Sequence, residues 1–176
     1  MTRDTNPNAH SALAETHILI VEDSALMRDL LYTCLKAFDV PKVVAVETPM
    51  ECLDELQNQF FDALIIDWRL RGHDGLDLIR QIRREMPDPL CRVPIVLCTG
   101  YSEMARVMEA RDAGIHEMLC KPVAPKALYS KLKAALSCDR LFMTTESYIG
   151  PERRTLPRGL VGGNGDAATK ISDAYV

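Results

Sequence analysis

Five polar side chains could do chemistry together: Glu22 and Asp23 side by side, then Asp67, Thr99 and Lys121 far apart along the chain. Each ends or follows a short apolar run: ILIV before Glu22 and Asp23, ALII before Asp67, IVLC before Thr99, and HEMLC before Lys121. Adjacent carboxylates at the end of a buried run repel each other, and burying them unpaired is costly. Either they face water or a cation belongs with them. Three converging carboxylates offer a hard cation only oxygen donors. A small site with few protein ligands suits Mg²⁺, which keeps waters and accepts phosphate oxygens. Lys121 adds a fixed positive charge and Thr99 a hydroxyl. A divalent ion, an ammonium and a hydroxyl are what the equatorial oxygens of a transferring phosphoryl group require. Asp67 then stands as the nucleophile, giving an aspartyl phosphate. Alone, a strand-end Asp is most often a turn or cap residue, and a lone Lys is usually solvated surface.

The elements that must position these groups alternate. Short apolar runs at 17–22, 42–46, 63–67, 95–99 and 116–120 read as strands, and those without polar alternation should be covered on both faces. Helices are expected over about 25–38, from Pro49 onward, and over about 76–86, 102–112 and 125–137. Ser24 and Thr48 are the N-caps of the first two, with Pro49 at the first helical position. The inward stripe of the first helix is expected to hold Leu26, Met27, Leu30, Leu31 and Leu35, and that of the second Met50, Leu53 and Leu56. Five strand–helix repeats with short connections call for an α/β fold, a doubly wound parallel sheet with helices on both faces. With right-handed crossovers the simplest order of the five strands is 2-1-3-4-5, flavodoxin-like. Its ligand crevice lies at the carboxyl ends of strands 1 and 3, where the five polar residues fall.

Composition narrows the function classes. The 176 residues fit one domain with tails, and 47% hydrophobic with 26% charged residues is ordinary for a globular chain. A net charge of −4 argues against broad nucleic-acid binding. No apolar run approaches the roughly 18 residues of a membrane span. The opening MTRDTNPNAHSALAET has no signal-peptide core, so a cytoplasmic location is expected. The six cysteines form no C-x-x-C pair; Cys34, Cys52, Cys98 and Cys120 fall in apolar patterns as small hydrophobes. Residues 1–16 read as a flexible leader, 17–138 as the domain, and 139–176 as a largely disordered extension. Within that extension SYIGPERR, 147–154, is expected to pack loosely on the last helix, or else to act as a docking motif.

The blocks ILIVEDS, LIIDW, GLDLIRQIR, VLCTG and CKP, in this order and spacing, resemble the signature of the response-regulator receiver domain of two-component signalling, whose fold is CheY-like. The resemblance implies that a sensor histidine kinase or a histidine phosphotransfer protein donates a phosphoryl group to Asp67. It implies Mg²⁺ held by Glu22, Asp23, Asp67 and the backbone carbonyl of Arg69, with catalytic support from Thr99 and Lys121. It implies a cis bond between Lys121 and Pro122, and a downstream protein bound on the helix 4–strand 5–helix 5 face, with no direct nucleic-acid or membrane contact. Such a protein catalyses only its own phosphorylation and dephosphorylation. Whether the phosphorylated form dimerises is left open. Thr99 and residue 118 form the family's switch pair; here position 118 is Met rather than the usual aromatic. Arg69 and Tyr101 flank the site and are expected to slow attack by water.

Two other classes compete. A Mg²⁺-dependent phosphohydrolase of small molecules uses similar groups, but normally has a second carboxylate two residues after the nucleophile, where this chain has Arg69, and a cap over the substrate. A receiver serving as a non-phosphorylated scaffold is disfavoured by the intact set of Asp23, Asp67, Thr99 and Lys121.

Overall fold

The structure, a computed structural model, describes residues 13–100 and 104–153. Thr48 and Glu51 form the helix start that the sequence pattern implies. Thr48 accepts from the Glu51 N–H at 3.2 Å, and Glu51 accepts from the Thr48 N–H at 3.1 Å. Ser24 likewise accepts from the Met27 N–H. In chain order the elements are β1 (His17–Val21), α1 (Ala25–Ala37), β2 (Lys42–Val46), α2 (Pro49–Asn58), β3 (Ala63–Asp67), β4 (Arg69–Leu70) and β5 (His73–Asp74). There follow α3 (Gly75–Glu85), β6 (Ile95–Thr99), α4 (Met104–Ala113), β7 (Glu117–Cys120), α5 (Pro125–Leu136), β8 (Phe142–Thr144) and β9 (Ile149–Pro151).

The five long strands form one parallel sheet, β2-β1-β3-β6-β7. This is the expected order; the two-residue strands β4 and β5 only shift the count. Alternation along each strand splits the core into two layers. Leu19, Leu64, Ile66 and Leu97 face Leu76, Ile79 and Val107 of the α2–α3–α4 side. Ile18, Ile65 and Cys98 face Leu35, Leu128 and Leu132 of the α1–α5 side. Because β3 and β6 are buried along their whole length, they carry no polar residue until their last position. Among the described residues no helix is long and apolar enough to cross a membrane.

Several side chains depart from the expected stripes. Leu26 and Leu30 of α1 are 79% and 41% exposed, and Met50 of α2 is 71% exposed. Leu31, Cys34 and Leu35 face inward from α1, and Cys52 and Leu56 from α2. The inward stripes run through Met27, Leu31, Cys34 and Leu35 and through Cys52, Leu53 and Leu56, so Leu26, Leu30 and Met50, one step around the helix, stay uncovered. Leu13 is buried, and its carbonyl accepts from the Thr16 hydroxyl at 2.8 Å, so the packed body begins before residue 17. Residues 1–12 lie outside the described ones. At the other end, residues 142–151 form the antiparallel hairpin β8–β9. It packs on α3 and on the α4–β7 corner. Of the extension expected to be largely disordered, 139–153 is thus structured, and 154–176 lies outside the described residues. Of the four cysteines expected inside, Cys34, Cys52 and Cys98 are buried and Cys120 is only partly so; all six are free.

Candidate functional site

Parallel strands bring their carboxyl ends to one edge, and the last residue of each points at the next element. Asp67 closes β3 and pairs with Cys98 of β6, while Thr99 closes β6 and pairs with Cys120 of β7. The Lys121 N–H donates to the Thr99 carbonyl at 2.7 Å, which carries the lysine to the same edge. The Glu22 N–H donates to the Val46 carbonyl at 3.1 Å, fixing the end of β1 against β2. Thus Glu22, Asp23, Asp67, Thr99 and Lys121 gather at one end of the sheet as the topology requires. The peptide bond between Lys121 and Pro122 is cis, as implied.

The lysine is the hinge of the cluster. Its Nζ lies 2.8 Å from Glu22 Oε2 and 2.9 Å from Asp67 Oδ1. Glu22 and Asp67 are buried and Thr99 is fully so, whereas Asp23 and Lys121 keep some contact with water. Burial raises the Glu22 pKa; the hydrogen bond from Lys121 opposes this, and the like charge of Asp67 adds to it. Burial works against the Lys121 ammonium, but its bonds to Glu22 and Asp67 outweigh that and its pKa is raised. The amine is therefore cationic at neutral pH.

One ammonium cannot balance three carboxylates. Ligand oxygens of Glu22, Asp23 and Asp67 all lie within 4.8 Å of one another. All three are hard oxygen donors, two are buried, and Glu22 resists ionisation. A small divalent cation such as Mg²⁺ fits this donor set.

Backbone geometry explains the loop beyond Asp67. The Gly75 N–H donates to the Trp68 carbonyl at 2.7 Å. A Cβ at Gly75 would lie 2.1 Å from the Asp67 carbonyl oxygen, so only glycine permits α3 to start so close to β3. Asp74 caps α3 by accepting from the Leu76 N–H at 2.8 Å. Arg69, whose carbonyl the family likeness assigns to the metal, sits in the β4–β5 turn opposite Asp74 with its side chain exposed. Tyr101 lies outside the described residues.

Met118 is 4% exposed and shares the core layer of Val107 and Ile115 beneath α4. The Met118 side chain, the second of the switch pair that the resemblance implies, is thus buried in the core. Sequence reading missed Arg28. Its guanidinium donates to the Glu22 carbonyl at 2.8 Å and pairs with Glu47 at 2.6 Å, bracing the carboxylate-bearing end of β1. Its one sequence signal is a cation on the first turns of the helix that follows the acidic pair.

Comparison with known proteins agrees with this geometry. The family model for the response regulator receiver domain matches residues 18–133. Chemotaxis protein CheY1 of Helicobacter pylori is 30% identical over 123 residues, 69% of this chain and 98% of its own. A putative response regulator from Chloroflexus aurantiacus superposes with a TM-score of 0.64 at 27% identity, over 70% of this chain and 98% of that one. The receiver domain of a Pseudomonas aeruginosa sensor histidine kinase, solved with a magnesium ion coordinated in its active-site cleft, superposes with a TM-score of 0.62 at 26% identity, over 70% of this chain and 98% of that one. The acidic edge, the lysine that bridges it and the doubly wound sheet are thus those of a CheY-like protein, and the chain belongs to the response regulator receiver domain family of two-component signalling.

Proposed function

We propose that the chain is a phosphoacceptor module that takes a phosphoryl group on Asp67 from a phosphohistidine of a sensor histidine kinase or a histidine phosphotransfer protein. The observation that carries this reading is the Lys121 ammonium held between Glu22 and Asp67 at 2.8 and 2.9 Å, beside a third carboxylate. Lys121 occupies one Asp67 oxygen, which fixes the carboxylate plane and leaves the second oxygen to attack phosphorus. As the new O–P bond forms, the P–N bond breaks and its electron pair returns to the imidazole nitrogen. Lys121 and the Thr99 hydroxyl then supply charge and a donor to the phosphoryl oxygens. Glu22, Asp23, Asp67 and the Arg69 carbonyl are the groups that would hold Mg²⁺; when bound, it offsets charge on the carboxylates and the transferring oxygens. The burial of Asp67 keeps bulk water from the resulting acyl phosphate.

In this reading the chain catalyses only its own phosphorylation and dephosphorylation. Its output is protein docking on the α4–β7–α5 face, which responds when Thr99 and Met118 repack. The magnesium-bearing Pseudomonas aeruginosa receiver supports the metal assignment by likeness. The test is incubation with acetyl phosphate and Mg²⁺, read by mass spectrometry. Wild type gains one phosphoryl group and Asp67→Asn gains none. Trp68, the only tryptophan and nearly buried beside Asp67, reports metal binding by its emission. Turnover of small phosphate esters without a phosphorylated protein would instead make the chain a phosphohydrolase.

A further inference from the structure

The matched family model ends at residue 133, and the chain then continues into the β8–β9 hairpin, which folds back onto the receiver body. Its attachments converge on one corner. A Cβ on Gly150 would lie 2.7 Å from the Gly114 Cα, and one on Gly114 would lie 2.4 Å from the Ile149 carbonyl oxygen. Backbone thus rests on backbone, and Gly114 also needs its φ of +94°. The Arg153 guanidinium stacks 4.2 Å from the Tyr148 ring centroid, and its Nε lies 3.3 Å from Asp112 Oδ1 in the last turn of α4. Arg140 Nη2 donates to the His116 carbonyl at 2.8 Å, just before β7.

A buried cation lies beneath the hairpin. Arg83 of α3 is 2% exposed, and its guanidinium donates to the carbonyls of Cys91 and Val93 at 2.9 Å and to Gly114 at 2.9 and 3.0 Å. The Phe142 ring of β8 lies 5.5 Å from this guanidinium and covers it. Asp112, Gly114 and His116 are the points held. They join α4 to β7, the strand that carries Met118 and leads into Lys121.

We propose that residues 139–153 are a strap that fixes the α4–β7 corner onto α3 in the resting arrangement, and thereby regulates the phosphoacceptor site. The restraint stands on these contacts; the regulation rests on the function proposed above. A contact made in one arrangement favours that arrangement by its differential free energy, and the coupling is reciprocal. Loosening the strap therefore raises the site's affinity for a phosphoryl mimic, and filling the site loosens the strap.

The test uses the full chain as wild type, Gly150→Val, Arg153→Glu and, as control, Leu141→Ser, a 70% exposed position next to β8. Amide hydrogen exchange is read first without ligand. Gly150→Val raises exchange roughly tenfold across 110–118 and 140–153 and leaves 63–67 unchanged, because the corner opens as a local unit. Arg153→Glu, a surface change that spares the core, raises exchange over the same segments by a smaller factor, and Leu141→Ser changes nothing. Mg²⁺ with beryllofluoride is then titrated by Trp68 emission. Both strap variants bind about fivefold tighter than wild type, within the usual range of such couplings. In wild type, the mimic raises exchange at 140–153.

Unchanged exchange at 110–118 in Arg153→Glu and in any folded Gly150→Val overturns the restraint. An equal rise throughout the sheet also overturns it, since the hairpin would then be a general stabiliser. Equal beryllofluoride affinities overturn the regulation. A wild type that takes up neither beryllofluoride nor acetyl phosphate refutes the function proposed for Asp67 and the regulation with it; the ligand-free exchange still decides the restraint.

Discussion

His116 offers the sharpest quantitative prediction, because burial and two guanidiniums act on it in the same direction. It is 9% exposed at the α4–β7 corner. Its Nδ1 accepts from the Ile95 N–H at 3.2 Å and lies 3.4 Å from Arg83 Nη2. An accepting Nδ1 cannot carry a proton, so the neutral ring with its proton on Nε2 is the form that fits. Burial, then Arg83, then Arg140 push its pKa from 6.5 down to about 3. A group whose folded pKa is depressed stabilises the fold above its unfolded value and loses that contribution as pH falls toward the folded one. The window is thus pH 6.5 down to about 3. At pH 5 the unfolded chain is mostly protonated at this residue while the folded chain is not. The loss there is set by the unfolded pKa alone: about 1.5 pH units at 1.36 kcal/mol each, or about 2 kcal/mol. The assay is urea unfolding of wild type and His116→Asn, which keeps an acceptor near Nδ1 and does not titrate. Carboxylates common to both cancel in the difference. Wild type should lose about 2 kcal/mol relative to the variant between pH 7.5 and pH 5. A difference flat to within about 0.5 kcal/mol over that range would show that His116 is protonated in the fold, and would refute the reasoning.

Other substitutions probe the site and its supports. Lys121→Met leaves three crowded carboxylates without their ammonium; it should lower metal-free stability by about 1–3 kcal/mol, less than for a fully buried pair because the lysine keeps some water. Mg²⁺ should recover part of that loss in the same urea experiment. Gly75→Ala drives a methyl into the Asp67 carbonyl oxygen; it should cost about 3 kcal/mol and abolish acetyl phosphate uptake, measured by melting and mass spectrometry. Thr48→Ala removes the hydroxyl that accepts from the Glu51 N–H and leaves the backbone N–H that donates to Glu51; it should cost about 1 kcal/mol in urea while leaving phosphorylation unchanged.

Much of this molecule is legible along the chain, for a local reason. A strand buried on both faces must be apolar until it emerges, so ALIID and IVLCT announce where Asp67 and Thr99 leave the core. Thr48, Pro49 and Glu51 encode their helix start within four residues. Right-handed crossovers then leave little freedom in strand order, and the carboxyl edge collects the polar residues. Contacts between distant segments were not legible. Leu26, Leu30 and Met50 border the inward stripes of their helices, and only the packing of each helix decides that they stay exposed while Leu31, Leu35 and Leu56 are covered. Arg83 reads as a surface charge on a polar helix. It is buried because carbonyls from residues 91, 93 and 114 converge on its donors and Phe142 closes over it. The 139–153 segment looks like a tail because it has no periodicity. It is held by contacts with distant residues, among them Arg153 with Asp112, Arg140 with His116 and the fit of Gly150 against Gly114, which no pattern within either segment encodes. Period and capping are written in neighbouring residues, whereas burial of a charge and the fit of two backbones depend on surfaces that exist only after the chain has folded.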